Sequence, residues 1–375
     1  MKNVVVVGGG TGGTLAANLL AKKLKPSEAR ITLVSESARH LYQPGWLYVS
    51  FGWLDQRSLS RPLRSLLKKR VQLVLGRVDT LDLEGRQLRL HDGTKVDYDY
   101  LVLAPGALVT PEDVPGLAEH GEHCFTEQGA LRLWSRLQDF QGGRIVVGVG
   151  GLPHKCPVAP LEFTFLLEEF LTRQNLRDKT EIVYTYPIGR VFSIESVAEI
   201  AAPLLEERKV EVETFFNLEE VHPGKALSLE GIELDYDLLA MVPPHRGPAF
   251  LQGSPIAEAR GWIKTDRHTL QVQGTDNLWA LGDVTDLPIS KAGSTAHFQA
   301  PVVVDRLCAA LRGEESHASY GGHVMCFLET GYNHASLLDF DYQRPPAPAR
   351  PNAIVHYQKM VFNKAYWYLV PTGVI

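Results

Sequence analysis

The chain has 375 residues, 45% hydrophobic and 22% charged, with a formal net charge of −5. That size and balance suit a globular protein of two or three domains. A net negative charge without a long Lys/Arg stripe excludes a nucleic-acid footprint, and no run approaches the roughly 18–20 apolar residues of a spanning helix, so any membrane contact is expected to be peripheral.

Met1 leads almost directly into an apolar strand, with no basic and apolar leader, which suggests an intracellular protein. VVVVGGGTGGTLAANLLAKKL reads as a buried strand, a glycine turn and a helix, and RITLVSE supplies the next strand of a βαβ unit. Gly8, Gly10 and Gly13 form GxGxxG, and Glu36 closes the second strand, where a carboxylate accepts ribose hydroxyls. The motif alone is weak, but its place between strand and helix points to a bound dinucleotide, with the helix N-terminal amides facing the pyrophosphate. VQLVLGRVDTLDLEGRQLRLHDGTKVDYDYLVLAPGA predicts a small β meander and then a buried strand ending at Ala104, Pro105 and Gly106.

RIVVGVGG, the helical APLEFTFLLEEFLTRQ and TEIVYTYP repeat the βαβ pattern, with further strands up to LLAMVPP. Here Pro153 replaces the third glycine, and the following strand ends in Thr185, Tyr186 and Pro187 with no ribose carboxylate, so a second nucleotide is not expected. Cys156 falls in this broken loop. NLWALGDVTDLP then predicts a strand ending in Gly282 and Asp283, followed by a helix from about Gly293 to Leu311. The proline-rich stretch at 344–352 reads as a linker into an aromatic C-terminal segment.

Four cysteines, Cys124, Cys156, Cys308 and Cys326, are too few for a disulfide scaffold and lack metal-ligand spacing, so no metal is expected. In a reducing compartment a disulfide is more often catalytic than structural. Cys308, inside VVVDRLCAALRG, reads as core.

Together the N-terminal GxGxxG, the APG turn, LGDVTDLPISKAG and the widely separated cysteines resemble the sulfide:quinone oxidoreductases and the related flavoprotein subunit of flavocytochrome c sulfide dehydrogenase. The resemblance implies an α/β fold of two Rossmann-like βαβ domains of the disulfide-reductase-like flavoprotein type, plus a C-terminal aromatic helical segment. On that reading residues 1–110 and 270–325 form a discontinuous FAD-binding domain, 111–269 a second Rossmann-like domain carrying Cys156, and 326–375 a quinone and membrane end. FAD is then held by Gly8, Gly10, Gly13, Glu36, Ala104, Gly106, Asp283, Lys291 and Gly293.

The same resemblance makes Cys156 the sulfur carrier and Cys326 the flavin-side sulfur of a redox pair that oxidises sulfide to polysulfide or sulfur. Glu162 is a proton shuttle, whose pKa burial would need to raise. Phe327, Lys359 and Phe362 make the quinone end. The aromatics of PGWLYVSFGWL and YWYLVPTGVI suit the cytoplasmic face of a membrane or a homo-oligomer contact alike. The chain departs from the family's Cys-Thr-x-x-His-Ala segment, which leaves Cys124 without an assigned part. Alternatives are a sulfide dehydrogenase serving a cytochrome c partner, a type II NADH:quinone dehydrogenase, which the broken second loop argues against, and a non-enzymatic sulfide or flavin sensor.

Overall fold

The computed structural model describes residues 1–374. Its first sheet is built where the sequence alternates apolar strand with amphipathic helix. Five parallel strands lie in the order Leu278–Ala280, Tyr100–Leu103, Lys2–Val7, Ala29–Ser35 and Val71–Leu75. Buried on both faces, these strands read as continuous apolar runs. The Thr11–Lys23 helix covers one face together with the long Gly293–Arg312 helix. Leu15, Leu20, Val303, Val304 and Leu307 share that core with Val4, Val6 and Leu33.

The expected meander is present but begins later. Val71–Leu75 joins the main sheet, and only Val78–Asp82, Gln87–Leu90 and Lys95–Asp97 pair antiparallel. A two-residue link, Gly76 and Arg77, with Gly76 packed on Leu90, separates the two roles.

The second sheet has four parallel strands in the order Glu211–Thr214, Thr180–Tyr186, Gly143–Val149 and Leu238–Val242. Its Ala159–Arg173 helix is buried continuously from Ala159 to Leu171, because the sheet takes one side and a hairpin the other. That hairpin, Val324–Gly331 with His334–Phe340, was not legible as a hairpin in the sequence. It places Cys326 opposite Leu338. The last helix, Ala353–Leu369, is capped by Asn352, whose side chain accepts from the Val355 amide.

This last helix is tied to the start of the chain. The Tyr366 hydroxyl lies 2.7 Å from Thr11 Oγ1 and 2.8 Å from His40 Nε2, and Asn18 donates to the Pro371 carbonyl at 2.7 Å. PGWLYVSFGWL is mostly core, contrary to its reading as an interface: Trp46, Leu47, Val49 and Phe51 are buried, and of its large apolar side chains only Trp53 and Leu54 at its end are exposed. Phe51 stacks between Trp53 and Phe163, with ring centroids 5.0 and 5.2 Å away. Likewise Tyr366, Trp367 and Val370 of YWYLVPTGVI are buried and Tyr368 and Val374 exposed, while Ile375 lies outside the described residues. No helix among the described residues is long and apolar enough to cross a membrane.

Candidate active site

The first glycine loop has the geometry of a dinucleotide cradle. Only three residues separate Val7 from the helix starting at Thr11. Gly8 has φ +111°, and a Cβ there would meet the Ala104 carbonyl oxygen at 2.2 Å. A Cβ on Gly13 would lie 1.9 Å from the Gly8 carbonyl oxygen, whereas the space around Gly10 and around Gly106 (φ +78°) is open. Glycine is therefore required for packing at Gly8 and Gly13 and leaves an approach to backbone amides at Gly10. Glu36 is exposed just past the Ala29–Ser35 strand. These residues fit a dinucleotide whose pyrophosphate sits on the helix N-terminus. Gly13→Val should force the loop apart and lower the dinucleotide content of purified protein by at least about tenfold, measured by absorbance of the released cofactor; full loading would show that the cradle is elsewhere.

The second loop is built differently. Nine residues, 150–158, separate Val149 from Ala159. A Cβ on Gly151 would strike the Pro244 ring at 2.8 Å, and one on Gly150 would press on Leu117 and the Val242 carbonyl at 3.2 Å. At the carboxyl ends of this sheet, where a ligand of such a fold binds, the cavity lined by Gly148, Ala159, Val242 and Cys124 measures about 10 Å³, room for about one water. Leu117 and Pro244 pack against this loop where the glycines of the first loop leave an open approach.

The long loop instead carries Cys156 across to the first domain's helix. The Cys156 amide donates to the Lys291 carbonyl at 2.8 Å, and the Cys156 carbonyl accepts from the Ala159 amide at 2.9 Å. These bonds hold Cys156 at φ +50°, a left-handed conformation that costs an L-residue about 1–2 kcal/mol. From the other side Cys326 comes to the same stretch: the Met325 amide donates to Ser294 Oγ at 3.4 Å, and the Ser294 hydroxyl interacts with the Cys326 thiol. Residues 291–294, at the head of the Gly293–Arg312 helix, are thus where two cysteines distant in sequence meet. Cys156, Cys326 and also Cys124 pack on one apolar cluster, and all are free thiols. Burial raises all three pKa values, and the nearby Glu162 carboxylate raises them further; Cys124 and Cys326 are each pushed up to about 12.

Asp283 lies in the turn after Leu278–Ala280, half-buried, its carboxyl pushed up by burial against the pull of Lys155 and Lys291. Lys291 is more constrained than its sequence reading implied. Its ammonium donates to the Asp283 and Thr285 carbonyls at 2.8 and 2.6 Å and sits 4.0 Å over the Trp262 ring. Burial lowers its pKa to about 8. It pins the Asp283 turn, while Gly293 is exposed with open space where a Cβ would be.

Behind the cysteines lies a charged cluster that the sequence showed only in part. Lys359 donates to Glu162 Oε1 at 2.6 Å and stands 3.7 Å from Glu329 Oε1. The Glu329 amide donates to Glu162 Oε1 at 3.0 Å, and Glu329 Oε2 accepts from His356 Nδ1 at 2.9 Å. Tyr48 donates to Glu329 Oε1 at 3.4 Å. Glu162, Glu329 and Lys359 are buried. Burial opposes the Lys359 charge, but Glu162, Tyr48 and Glu329 outweigh it and hold its pKa well above the ordinary lysine value. Burial raises Glu162, with Lys359 pulling the other way. The Lys359 direction follows from two carboxylates sharing one ammonium, the Glu162 direction from desolvation that the single ammonium does not offset.

Glu329, His356 and Tyr48 were missed. His356 lies three residues before Lys359, on the same helix face, a spacing that could have flagged it; nothing local marks Glu329 or Tyr48. Phe327 and Phe362 do come together, with centroids 6.5 Å apart and planes tilted by 40°. That is the spacing of a direct aromatic pair. Cys308 is buried in its helix, as expected of core.

The pyridine nucleotide-disulphide oxidoreductase family model matches residues 2–300. The mitochondrial sulfide:quinone oxidoreductase of Mus musculus is 29% identical over 361 residues, covering 93% of this chain and 80% of the relative. A type II NADH:quinone oxidoreductase of Staphylococcus aureus is 24% identical, with 84% of each chain covered. Among solved structures, the sulfide:quinone oxidoreductase of Aquifex aeolicus superposes with a TM-score of 0.88 at 22% identity, over all of this chain and 92% of the other. The chain belongs to the pyridine nucleotide-disulphide oxidoreductase family, and its full-length likeness is to the sulfide:quinone oxidoreductases.

Proposed function

We propose that the protein is an FAD-dependent sulfide:quinone oxidoreductase in which Cys156 and Cys326 form the redox pair. The observation that carries this reading is the meeting of both cysteines at residues 291–294, combined with a second glycine loop closed by Leu117 and Pro244. Residues 1–110 and 270–325 form the FAD domain, 111–269 the Cys156 domain and 326–375 the quinone end. FAD, when bound, supplies the two-electron acceptor between sulfur and quinone.

In the oxidised pair, hydrosulfide attacks the Cys156 sulfur, the sulfur–sulfur bond breaks, and the products are a Cys156 persulfide and a Cys326 thiolate. Cys326 is the flavin-side sulfur because its strand abuts the head of the Gly293–Arg312 helix, whose N-terminal amides favour negative charge. Cys156, held left-handed on the nine-residue loop 150–158, is the carrier. Phe327 and Phe362, a direct pair here, flank the position proposed for a quinone ring beside Lys359.

On the last helix Ile354, Tyr357, Val361 and Tyr368 are all exposed on one face, with Lys364 beside them. An apolar and aromatic stripe with a lysine suits a membrane interface, and Trp53 and Leu54 add to the exposed apolar surface. The protein therefore docks peripherally where quinone is dissolved.

Sulfide is expected to bleach the bound flavin anaerobically, and an equal concentration of NADH to leave it oxidised over the same time. Stopped-flow absorbance with each donor decides the matter: rapid bleaching by NADH would move the protein to the NADH:quinone class.

A further inference from the structure

The Lys359 cluster carries an unbalanced charge. Glu162 and Glu329 contribute two negative charges and Lys359 one positive, in a buried setting where an uncompensated charge is costly. Neutrality requires one more proton, and the groups able to hold it are the two carboxylates and His356. His356 differs from the others in position: its side chain retains 13% exposure, against 1% for Glu329 and 5% for Glu162. The groups form a continuous line from that partly exposed imidazole to the carboxylate whose field reaches Cys124, Cys156 and Cys326. Its links measure 2.9 Å from His356 to Glu329, 3.7 Å from Glu329 to Lys359 and 2.6 Å from Lys359 to Glu162. Only the middle link exceeds hydrogen-bond length, and it lies at the end of a flexible lysine side chain.

We propose that His356 and Glu329 form the solvent-side half of a proton relay that recharges Lys359 and Glu162 during quinone reduction. The idea rests on the functional reading above only in taking quinone as the electron acceptor. Each passage is balanced. Lys359 gives a proton to the reduced quinone or to Glu162 and becomes a neutral amine; protonated Glu329 returns a proton to it; His356 passes its Nδ1 proton to Glu329 and takes another from water. One proton leaves solvent and one arrives inside; water reprotonates His356 at Nε2, a tautomer exchange through that water restores Nδ1–H facing Glu329, and the line is reset once Glu162, where it was the acceptor, has passed its proton to the reduced quinone. The other titratable groups around the line are Tyr42 and Tyr48, whose phenols burial holds protonated, and the three cysteines, likewise raised. Each of these stays protonated near neutrality and takes no proton from the line.

His356→Gln tests the relay, because an amide can still donate to Glu329 but cannot pass a proton on. The flavin-loaded enzyme is reduced with one equivalent of dithionite, so the quinone half is measured whether or not sulfide is the physiological donor, and is then mixed with a short-chain soluble quinone. Reoxidation should slow by about tenfold or more at pH about 8, recover toward the parent rate at pH about 6 and with millimolar imidazole, and show an enlarged solvent deuterium effect. The thermal unfolding midpoint should stay within about 2 °C of the parent. Reoxidation within about twofold of the parent across that pH range would overturn the relay. So would a slow variant that neither imidazole nor acid restores, since that is the behaviour of a purely structural ion cluster. Failure of sulfide to bleach the parent flavin, with the imidazole-dependent loss intact, would strike the sulfide assignment and leave the relay standing.

Discussion

Cys326→Ser should lose sulfide-driven flavin reduction by about a thousandfold or more, the scale on which removal of a reacting nucleophile shows. Cys156→Ser should do the same, whereas Cys308→Ser should stay within about twofold of the parent. The expectation follows from the state in which these thiols rest. Burial and the Glu162 field push Cys326 up to about 12 and raise Cys156 well above the ordinary thiol value, so neither offers appreciable thiolate near neutrality. A simple dithiol would be a poor nucleophile. The pair becomes reactive through the oxidised bridge, since opening it delivers a thiolate on Cys326 without any deprotonation of a buried thiol. A hydroxyl at either position cannot form that bridge. Alkylation should separate the two ideas further: the reduced enzyme should react with iodoacetamide more slowly than a free cysteine, and hydrosulfide should reduce the oxidised enzyme fast. Retention of wild-type reduction in either serine variant would end the cysteine mechanism.

The second large effect is structural. Lys359→Met leaves Glu162 and Glu329 facing each other through a methylene stem, with only His356 and Tyr48 to answer them. Removing one partner of a buried pair typically costs about 3–5 kcal/mol, because the remaining charge stays desolvated. The sign of the pH dependence is fixed by Glu162. Its folded pKa is already raised by burial, and without the ammonium it rises further. A carboxyl of raised folded pKa is tolerated while protonated and destabilises once ionised. The deficit of Lys359→Met should therefore shrink at low pH and widen as pH climbs through the raised folded value. Urea midpoints at pH about 5.5 and 8 measure it. Adding Glu162→Leu should recover much of the loss, since replacing both partners by apolar groups removes the desolvated charge. An equal deficit at both pH values, or no recovery in the double variant, would mean that Lys359 contributes by packing alone.

The first glycine loop was legible because its determinants are largely local: strand, turn and helix occupy consecutive residues, and the Cβ contact at Gly13 is with Gly8 of the same turn, although that at Gly8 is with the distant Ala104. Pro153 likewise announced in sequence that the second loop had changed. What filled that loop was invisible, because Leu117, Leu218 and Pro244 arrive from distant segments. Cys156 and Cys326 were found through the motifs around them, and their meeting at residues 291–294 depended on the fold. Glu162 was hard to weigh by periodicity, since a helix buried on every side has no polar face against which to judge a carboxylate. Glu329 and Tyr48 became partners of Lys359 only when the hairpin and the last helix docked. Lys291 illustrates the opposite case, a residue correctly singled out whose ammonium spends itself on two backbone carbonyls.

The order of strands in the first sheet also bears on how the protein is made. Tyr100–Leu103 waits for its edge partner Leu278–Ala280 until about 175 further residues have been synthesised, on the order of ten to thirty seconds at about 5–20 residues per second. All four strands of the second sheet emerge within that interval, so the inserted unit can close on the ribosome while the unit it interrupts still shows an open, apolar edge. Aggregation during synthesis should therefore be governed by mutations that weaken the early strands Lys2–Val7 and Tyr100–Leu103, and chaperone demand should end when Ala280 clears the exit tunnel.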